Sequence, residues 1–225
     1  MAVQHVLFIL TNAGLIGPND RKTGYYFPEV AHPVEELEKA GIAIDYASPK
    51  GGAIPEDGYD EKDHAQKAFK ESNAYRRMNR SRKLSEIDVN DYDAIFFPGG
   101  LGPMVDLAKN EEVQRAIARA WNAGKVVAAV CHGPAALLGV TLEDGTKLLK
   151  GRKVTSFSNA EEENYAKADV AFALETAIRE EGATFEAAAP WQPKVMVDGR
   201  LITGQNPASA GPLAKAMVAE LRKGT

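Results

Sequence analysis

The sequence predicts an α/β fold: a mostly parallel central sheet with helices on both faces and a nucleophile elbow at one strand end. Three observations predict it. Short runs rich in β-branched and aromatic residues alternate with amphipathic stretches along the chain. Parallel neighbours need a crossover between them, usually a helix, so this alternation is how a parallel sheet reads in sequence. Segments rich in Gly and Pro follow several of the apolar runs, as strand-end loops do. The only cysteine, Cys131, stands between the run Lys125-Val126-Val127-Ala128-Ala129-Val130 and the turn formers His132-Gly133-Pro134. That order reads as strand, sharp turn and helix.

Residues 3–10 are a strand by their β-branched and aromatic content. Residues 28–40 read as a helix, with Val30, Val34 and Leu37 on one stripe and Gly41 ending it. Residues 42–47 are the next strand, and the Gly- and Pro-rich residues 48–58 a loop. Residues 61–82 are polar and helix-compatible, part of a helical insertion expected at about 51–90. Residues 93–97 form a central strand that runs into Pro98-Gly99-Gly100-Leu101-Gly102-Pro103. An amphipathic helix follows at 111–123, capped by Gly124, and then the nucleophile strand. Residues 152–157 read as a strand, 168–181 as a helix stopped by Gly182, and 184–188, 194–197 and 201–203 as short strands. Asp198-Gly199 predicts a hairpin turn between the last two. Asn206 caps a final helix with Pro207 at its first position and a stripe of Leu213, Met217 and Leu221. With no internal repeat, low-complexity segment or linker, residues 1–225 are read as one domain.

Composition narrows the function. Hydrophobic residues are 44% and charged residues 26% of the chain, ordinary values for a globular protein with a proper core. A net charge of −4 advertises no basic surface, so no nucleic-acid partner is expected. The basic stretch Arg76-Arg77-Met78-Asn79-Arg80-Ser81-Arg82-Lys83 reads as a solvated helix face or loop. The N-terminal run is apolar but short, without the cationic start of a signal peptide. No apolar run reaches the roughly 20 residues that span a bilayer. A single cysteine excludes an internal disulfide and suits a reducing compartment, so a cytoplasmic location without membrane association is expected.

The chemistry centres on Cys131. A lone cysteine is usually a small buried hydrophobe. Here it ends a strand, beside a histidine and two turn formers, which argues for a nucleophile instead. Its place beside His132 and a helix N-terminus predicts a thiol that ionises below its ordinary value. A thiol nucleophile needs a base, donors for an oxyanion and a group that orients the base. His132 is the candidate base. Gly99 and Gly100 leave backbone N–H groups accessible after a strand and suit an oxyanion hole. One of Glu161, Glu162 and Glu163, which lie in the turn to a helix, can point over the elbow. Glu29 stands among Tyr25, Tyr26, Phe27 and Pro28 at a helix start. Such apolar surroundings raise a carboxyl pKa, making Glu29 a candidate proton donor beside the thiol.

Ala129-Val130-Cys131-His132-Gly133-Pro134-Ala135 resembles the nucleophile elbow of the ThiJ/PfpI superfamily. The resemblance covers essentially the whole chain. Lys22-Thr23-Gly24, Glu29-Val30-Ala31-His32-Pro33, Phe97-Pro98-Gly99-Gly100-Leu101-Gly102, Thr155-Ser156-Phe157-Ser158-Asn159-Ala160-Glu161-Glu162, Ala189-Pro190-Trp191 and Thr203-Gly204-Gln205-Asn206-Pro207-Ala208-Ser209 are similar to its glyoxalase III and heat-shock-chaperone branch. The resemblance implies a flavodoxin-like three-layer sandwich and a Cys–His–Glu triad at Cys131, His132 and Glu162. It also implies a protonated Glu29 touching the thiol, oxyanion donors at the backbone of Gly100 and His132, and Trp191 on the pocket wall. Fungal members usually carry a small residue and a histidine in the loop where this chain has residues 98–101. The bacterial chaperone of the branch carries a metal site outside the triad. His5, His32 and His64 lack ligand spacing, and no metal or organic cofactor is expected.

The leading expectation is glutathione-independent conversion of methylglyoxal, a small reactive aldehyde, to lactate, by a homodimer. Removal of early glyoxal adducts from proteins would use the same residues. A holding chaperone with a redox-sensitive cysteine is the alternative from another class. A third reading is a cysteine-dependent amidohydrolase or peptidase. Its amidotransferase form needs a histidine far downstream, and no histidine follows His132.

Overall fold

The β-branched and aromatic runs become one sheet. The computed structural model describes residues 3–223. Seven strands form the sheet: β1 (His5–Ile9), β2 (Ala43–Ser48), β3 (Arg82–Lys83), β4 (Ala94–Phe97), β5 (Val126–Val130), β6 (Val195–Asp198) and β7 (Leu201–Gly204). Their spatial order is β6-β7-β5-β4-β1-β2-β3, and every neighbouring pair is parallel except β6–β7. Helices α1 (Pro28–Lys39), α2 (His64–Glu71), α3 (Asn73–Met78), α4 (Glu111–Asn122), α5 (Asn159–Glu162), α6 (Leu174–Glu180) and α7 (Ala210–Lys223) connect and cover it.

Side chains alternate between the two faces of a strand, and here both faces are apolar because both are covered. Leu7, Ile9, Ile95, Phe97, Val127 and Ala129 point into one core with α4 and α6. Val6, Phe8, Phe96, Ala128 and Val130 point into the other with α1 and α7. The result is a three-layer sandwich of the flavodoxin-like kind.

Register then gathers the strand ends. Phe97 lies opposite Ala129, and Gly204 opposite Val130. The residues that leave these strands, Pro98, Cys131 and Gln205, therefore emerge side by side at the carboxyl edge, where ligand sites of parallel sheets lie.

Several elements differ from the sequence reading: the strand read at 184–188 is only Thr184–Phe185, and a 3₁₀ turn, Pro207–Ser209, stands where the final helix was read to start, before α7. Residues 152–157 are not a strand of the main sheet; only Lys153–Val154 pairs, with Thr184–Phe185 in a separate ladder. The rest of that segment bonds elsewhere, Thr155 N–H to Thr203 Oγ1 at 2.9 Å and Phe157 N–H to the Cys131 carbonyl at 2.8 Å. The helix read at 168–181 begins only at Leu174. The polar stretch 61–82 is helical but also buries Phe69, Ala74 and Met78, and its end forms edge strand β3. At the hairpin, Asp198 pairs with Leu201, so Gly199 and Arg200 are the two central residues. Gly199 alone takes a positive φ, +58°, as the first position of a type II′ turn requires.

Candidate active site

The elbow is set by backbone geometry. Cys131 has φ +60°, a left-handed conformation that side chains other than glycine seldom adopt. Such strain costs about 1–3 kcal/mol and persists only where surroundings over-determine it. They do so here: the Cys131 N–H donates to the Gly204 carbonyl at 2.9 Å, and its carbonyl accepts from Phe157 N–H at 2.8 Å. Gly133 completes the turn, because a Cβ at that position would collide with the Phe97 carbonyl oxygen.

His132 is wholly buried, with its ring 4.4 Å from that of Phe157. Its Nδ1 lies 3.4 Å from Cys131 Sγ and its Nε2 2.7 Å from Glu162 Oε2. A carboxylate accepting from Nε2–H leaves Nδ1 with a lone pair toward the thiol, the arrangement of a general base.

The three consecutive glutamates have three separate environments. Glu163 is exposed and pairs with Lys167 at 2.7 Å. Glu161 is buried and accepts from Ser158, Trp191, Gln205 and Asn206. Glu162 alone among them bonds His132.

Glu29 is fully buried at the start of α1, with Oε2 accepting from Gly99 N–H at 2.7 Å. Oε1 has no hydrogen-bond partner, and the carboxyl lies against Cys131, close enough for each group to shift the other's ionisation. Burial pushes the Glu29 pKa up to about 8, against smaller lowering effects of the thiol and Gly99 N–H.

The sequence expectation of a low thiol pKa is overturned. Burial, followed by the neighbouring Glu29, pushes the Cys131 thiol well above its ordinary value. The backbone N–H groups of Gly100 and His132 act in the other direction and lose. The element after the elbow is a 3₁₀ segment of five residues, Gly133–Leu137, too short to develop a strong helix dipole. At neutral pH the pair therefore rests as thiol beside carboxylic acid.

The same contacts separate the two glycines. Gly99 was expected as an oxyanion donor, but its N–H is engaged by Glu29. Gly100 N–H, with that of His132, is directed at the sulfur. Gly100 has φ +91°, and a Cβ there would strike the Gly24 carbonyl oxygen, so only glycine fits.

Around the thiol lies a cleft of about 290 Å³, lined by Tyr26, Gly100, Cys131, His132, Phe157, Tyr165, Trp191 and Pro207. Trp191 is half-exposed, and its ring packs edge-on to Phe157 and Tyr165 at 5.5 and 5.9 Å. Leu101 is buried in the core and does not line the cleft.

A family model described as the DJ-1/PfpI family matches residues 24–220. The chain belongs to the DJ-1/PfpI family. It is 30% identical to the glutathione-independent glyoxalase HSP31 of Saccharomyces cerevisiae over 236 aligned positions, covering 99% of this chain and 100% of that protein. The crystal structure of glyoxalase III from Candida albicans superposes with a TM-score of 0.86 at 29% identity, covering 96% and 97% of the two chains. The Francisella tularensis Rapid Encystment Protein of 24 kDa superposes with a TM-score of 0.93 at 34% identity, covering 97% and 99%. The DJ-1/PfpI match thus extends from just before Glu29 to the last turn of α7.

Within this DJ-1/PfpI site, several residues escape a reading by motif. Tyr26 and Tyr165 line the cleft, and Glu161 ties together the segments around it. The signals were faint: Tyr26 stands three residues before Glu29, and Tyr165 follows the glutamate run. Among the described residues, no group of three or more His, Cys, Asp and Glu side chains is placed to hold a metal ion. His32 pairs with Asp63 at 2.8 Å. No helix among them is long and apolar enough to cross a membrane.

Proposed function

We propose that this protein converts methylglyoxal and water to lactate without glutathione, using Cys131, His132, Glu162 and Glu29. The observation that carries this reading is the hydrogen-bonded chain from Sγ through His132 to Glu162, with the protonated Glu29 on the other side of the same thiol. His132 Nδ1 takes the thiol proton as Sγ adds to the aldehyde carbon, forming a hemithioacetal. Backbone N–H groups of Gly100 and His132 hold the oxygen that becomes negative. Loss of the proton from the former aldehyde carbon gives an enediol, and protonation of the neighbouring carbon gives a thioester. His132 and Glu29 carry those protons. Water then splits the thioester, releasing lactate and restoring the thiol. The sum is one dicarbonyl plus one water, with no net oxidation.

The small cleft favours a short substrate over a polypeptide, and the glyoxalase names of the relatives support the same reading. The test is incubation of purified protein with methylglyoxal in the absence of glutathione, following lactate. Lactate formed by the unsubstituted protein and lost in Cys131→Ser supports the proposal. Absence of lactate from the unsubstituted protein overturns it.

A further inference from the structure

We infer that the hydroxyls of Tyr26 and Tyr165 bind the second carbonyl oxygen of the substrate and so make the cleft selective for 1,2-dicarbonyls over simple aldehydes. The inference deepens the proposed function and rests on its reading of Cys131 as the thiol that adds to an aldehyde. Adduct formation accounts for one oxygen, which sits at the N–H groups of Gly100 and His132. The neighbouring carbonyl also gains negative charge as the enediol forms, and a buried oxygen needs a donor. Gly99 N–H is bonded to Glu29 and His132 Nε2 to Glu162, and the protons on Glu29 and His132 Nδ1 are the ones passed to and from carbon in the proposed reaction, so these groups do not hold the second oxygen.

Two phenols lining the same cleft do. Neither hydroxyl has a hydrogen-bond partner among the described residues, although both side chains are partly buried. Burial, above all, keeps both phenols neutral and hence donors, and both line the cleft that Cys131 also lines. Both rings are also fixed in place. Tyr26 N–H donates to the Gly99 carbonyl at 3.0 Å, and its ring lies against Gly58, where any Cβ would collide with it. Tyr165 is held by Arg21, whose guanidinium lies 4.9 Å over the ring, bonds the Tyr165 carbonyl at 3.0 Å and pairs with Asp169 at 2.9 Å. Free donors on pre-positioned rings mark a site built for an acceptor.

The test measures adduct formation rather than turnover. Iodoacetamide alkylation of Cys131 is followed by intact mass while the protein is titrated with methylglyoxal or with propanal, which has three carbons but no ketone. Either aldehyde protects by forming a reversible S–C bond, the thiol proton ending on the former carbonyl oxygen. In Tyr26→Phe/Tyr165→Phe, the half-protecting concentration of methylglyoxal should rise about ten- to a hundredfold, each lost hydrogen bond being worth roughly threefold to tenfold. That of propanal should stay within about twofold, and alkylation without aldehyde should be unchanged. An unchanged methylglyoxal value overturns the inference. So does an equal rise for both aldehydes, or slower alkylation without any aldehyde, since the phenols would then act on the fold or the thiol. Lactate is assayed in parallel on the unsubstituted protein: its absence rejects the proposed reaction, whereas the protection ratio alone decides the role of the phenols.

Discussion

Glu161 and Glu162 are adjacent and both buried, yet they touch different things, and substitutions should separate them. Glu162→Gln keeps the shape but removes the negative charge that favours a proton on His132. It should lower kcat about a hundredfold, within the range ascribed to a positioned base, with little change in KM. Glu161→Gln takes away an acceptor shared by Ser158, Trp191, Gln205 and Asn206. It should raise KM more than it lowers kcat, and cost about 1–3 kcal/mol of stability by leaving buried donors unpaired. Steady-state kinetics and urea melts on both variants check this; matching kinetic profiles would reject the division of roles. Glu29 makes a different prediction, about pH. The folded protein holds a proton on Glu29 up to about pH 8, whereas the ordinary value is 4.5. Between those values the unfolded chain binds fewer protons, so stability falls as pH rises from 4.5 toward 8. Glu29→Gln stays neutral and still offers an acceptor to Gly99 N–H. Its stability relative to the unsubstituted protein should therefore increase by a few kcal/mol across that window, on the order of one pKa unit's worth per pH unit. Thermal melts at pH 5 and pH 8 measure the difference; parallel curves would show that Glu29 ionises normally.

At the scale of elements, the strand-to-turn junction at Cys131 has the least tolerance. Gly133→Ala would drive a methyl into the Phe97 carbonyl oxygen, a backbone atom that can move only if β4 moves. It should destabilise the protein by about 1–3 kcal/mol, as overpacking does, and abolish turnover. Gly145→Ala is the control, because nothing lies near its added Cβ and only the positive φ is disfavoured. If Gly133→Ala folds and turns over normally, the close approach at the elbow is dispensable. The central strands and amphipathic helices were legible because period and capping determine them locally. Residues 155–157 were not. Thr-Ser-Phe has strand propensity, but its N–H groups find a threonine hydroxyl and the elbow carbonyl, partners that only tertiary structure supplies. The charged β3 escaped for a similar reason: two residues, Arg82 and Lys83, carry no pattern, and only the exposed edge of β2 makes them a strand.

Across the whole molecule, the sheet order explains why a site assembled from residues as distant as Glu29 and Trp191 could be read at all. Motifs follow strands, parallel strands end on one edge, and so Gly100, Cys131 and the Gln205 segment had to meet there. The pairing of His132 with Glu162, by contrast, depends on where α5 docks, and alternation alone left three glutamates open; only the family resemblance singled out one. Tyr26 and Tyr165 carried no strong motif. Ionisation of Cys131 was misread because helix position suggested an anion, while complete burial beside a second acid outweighs a short turn of N–H groups. The packing of Trp191 has an optical consequence. The chain has two tryptophans, and Trp121 is not among the residues that line the cleft; it is covered by Arg200 and Arg152 at 4.3 and 4.9 Å. In Trp121→Phe, emission would come from Trp191 alone, an indole standing half in water against the wall that a ligand must touch. Adding aldehyde should then shift both the intensity and the emission maximum of that single lamp, and Cys131→Ser should abolish the response. The Trp121→Phe protein would thus carry its own fluorescent gauge of cleft occupancy, readable in a stopped-flow instrument without any attached dye.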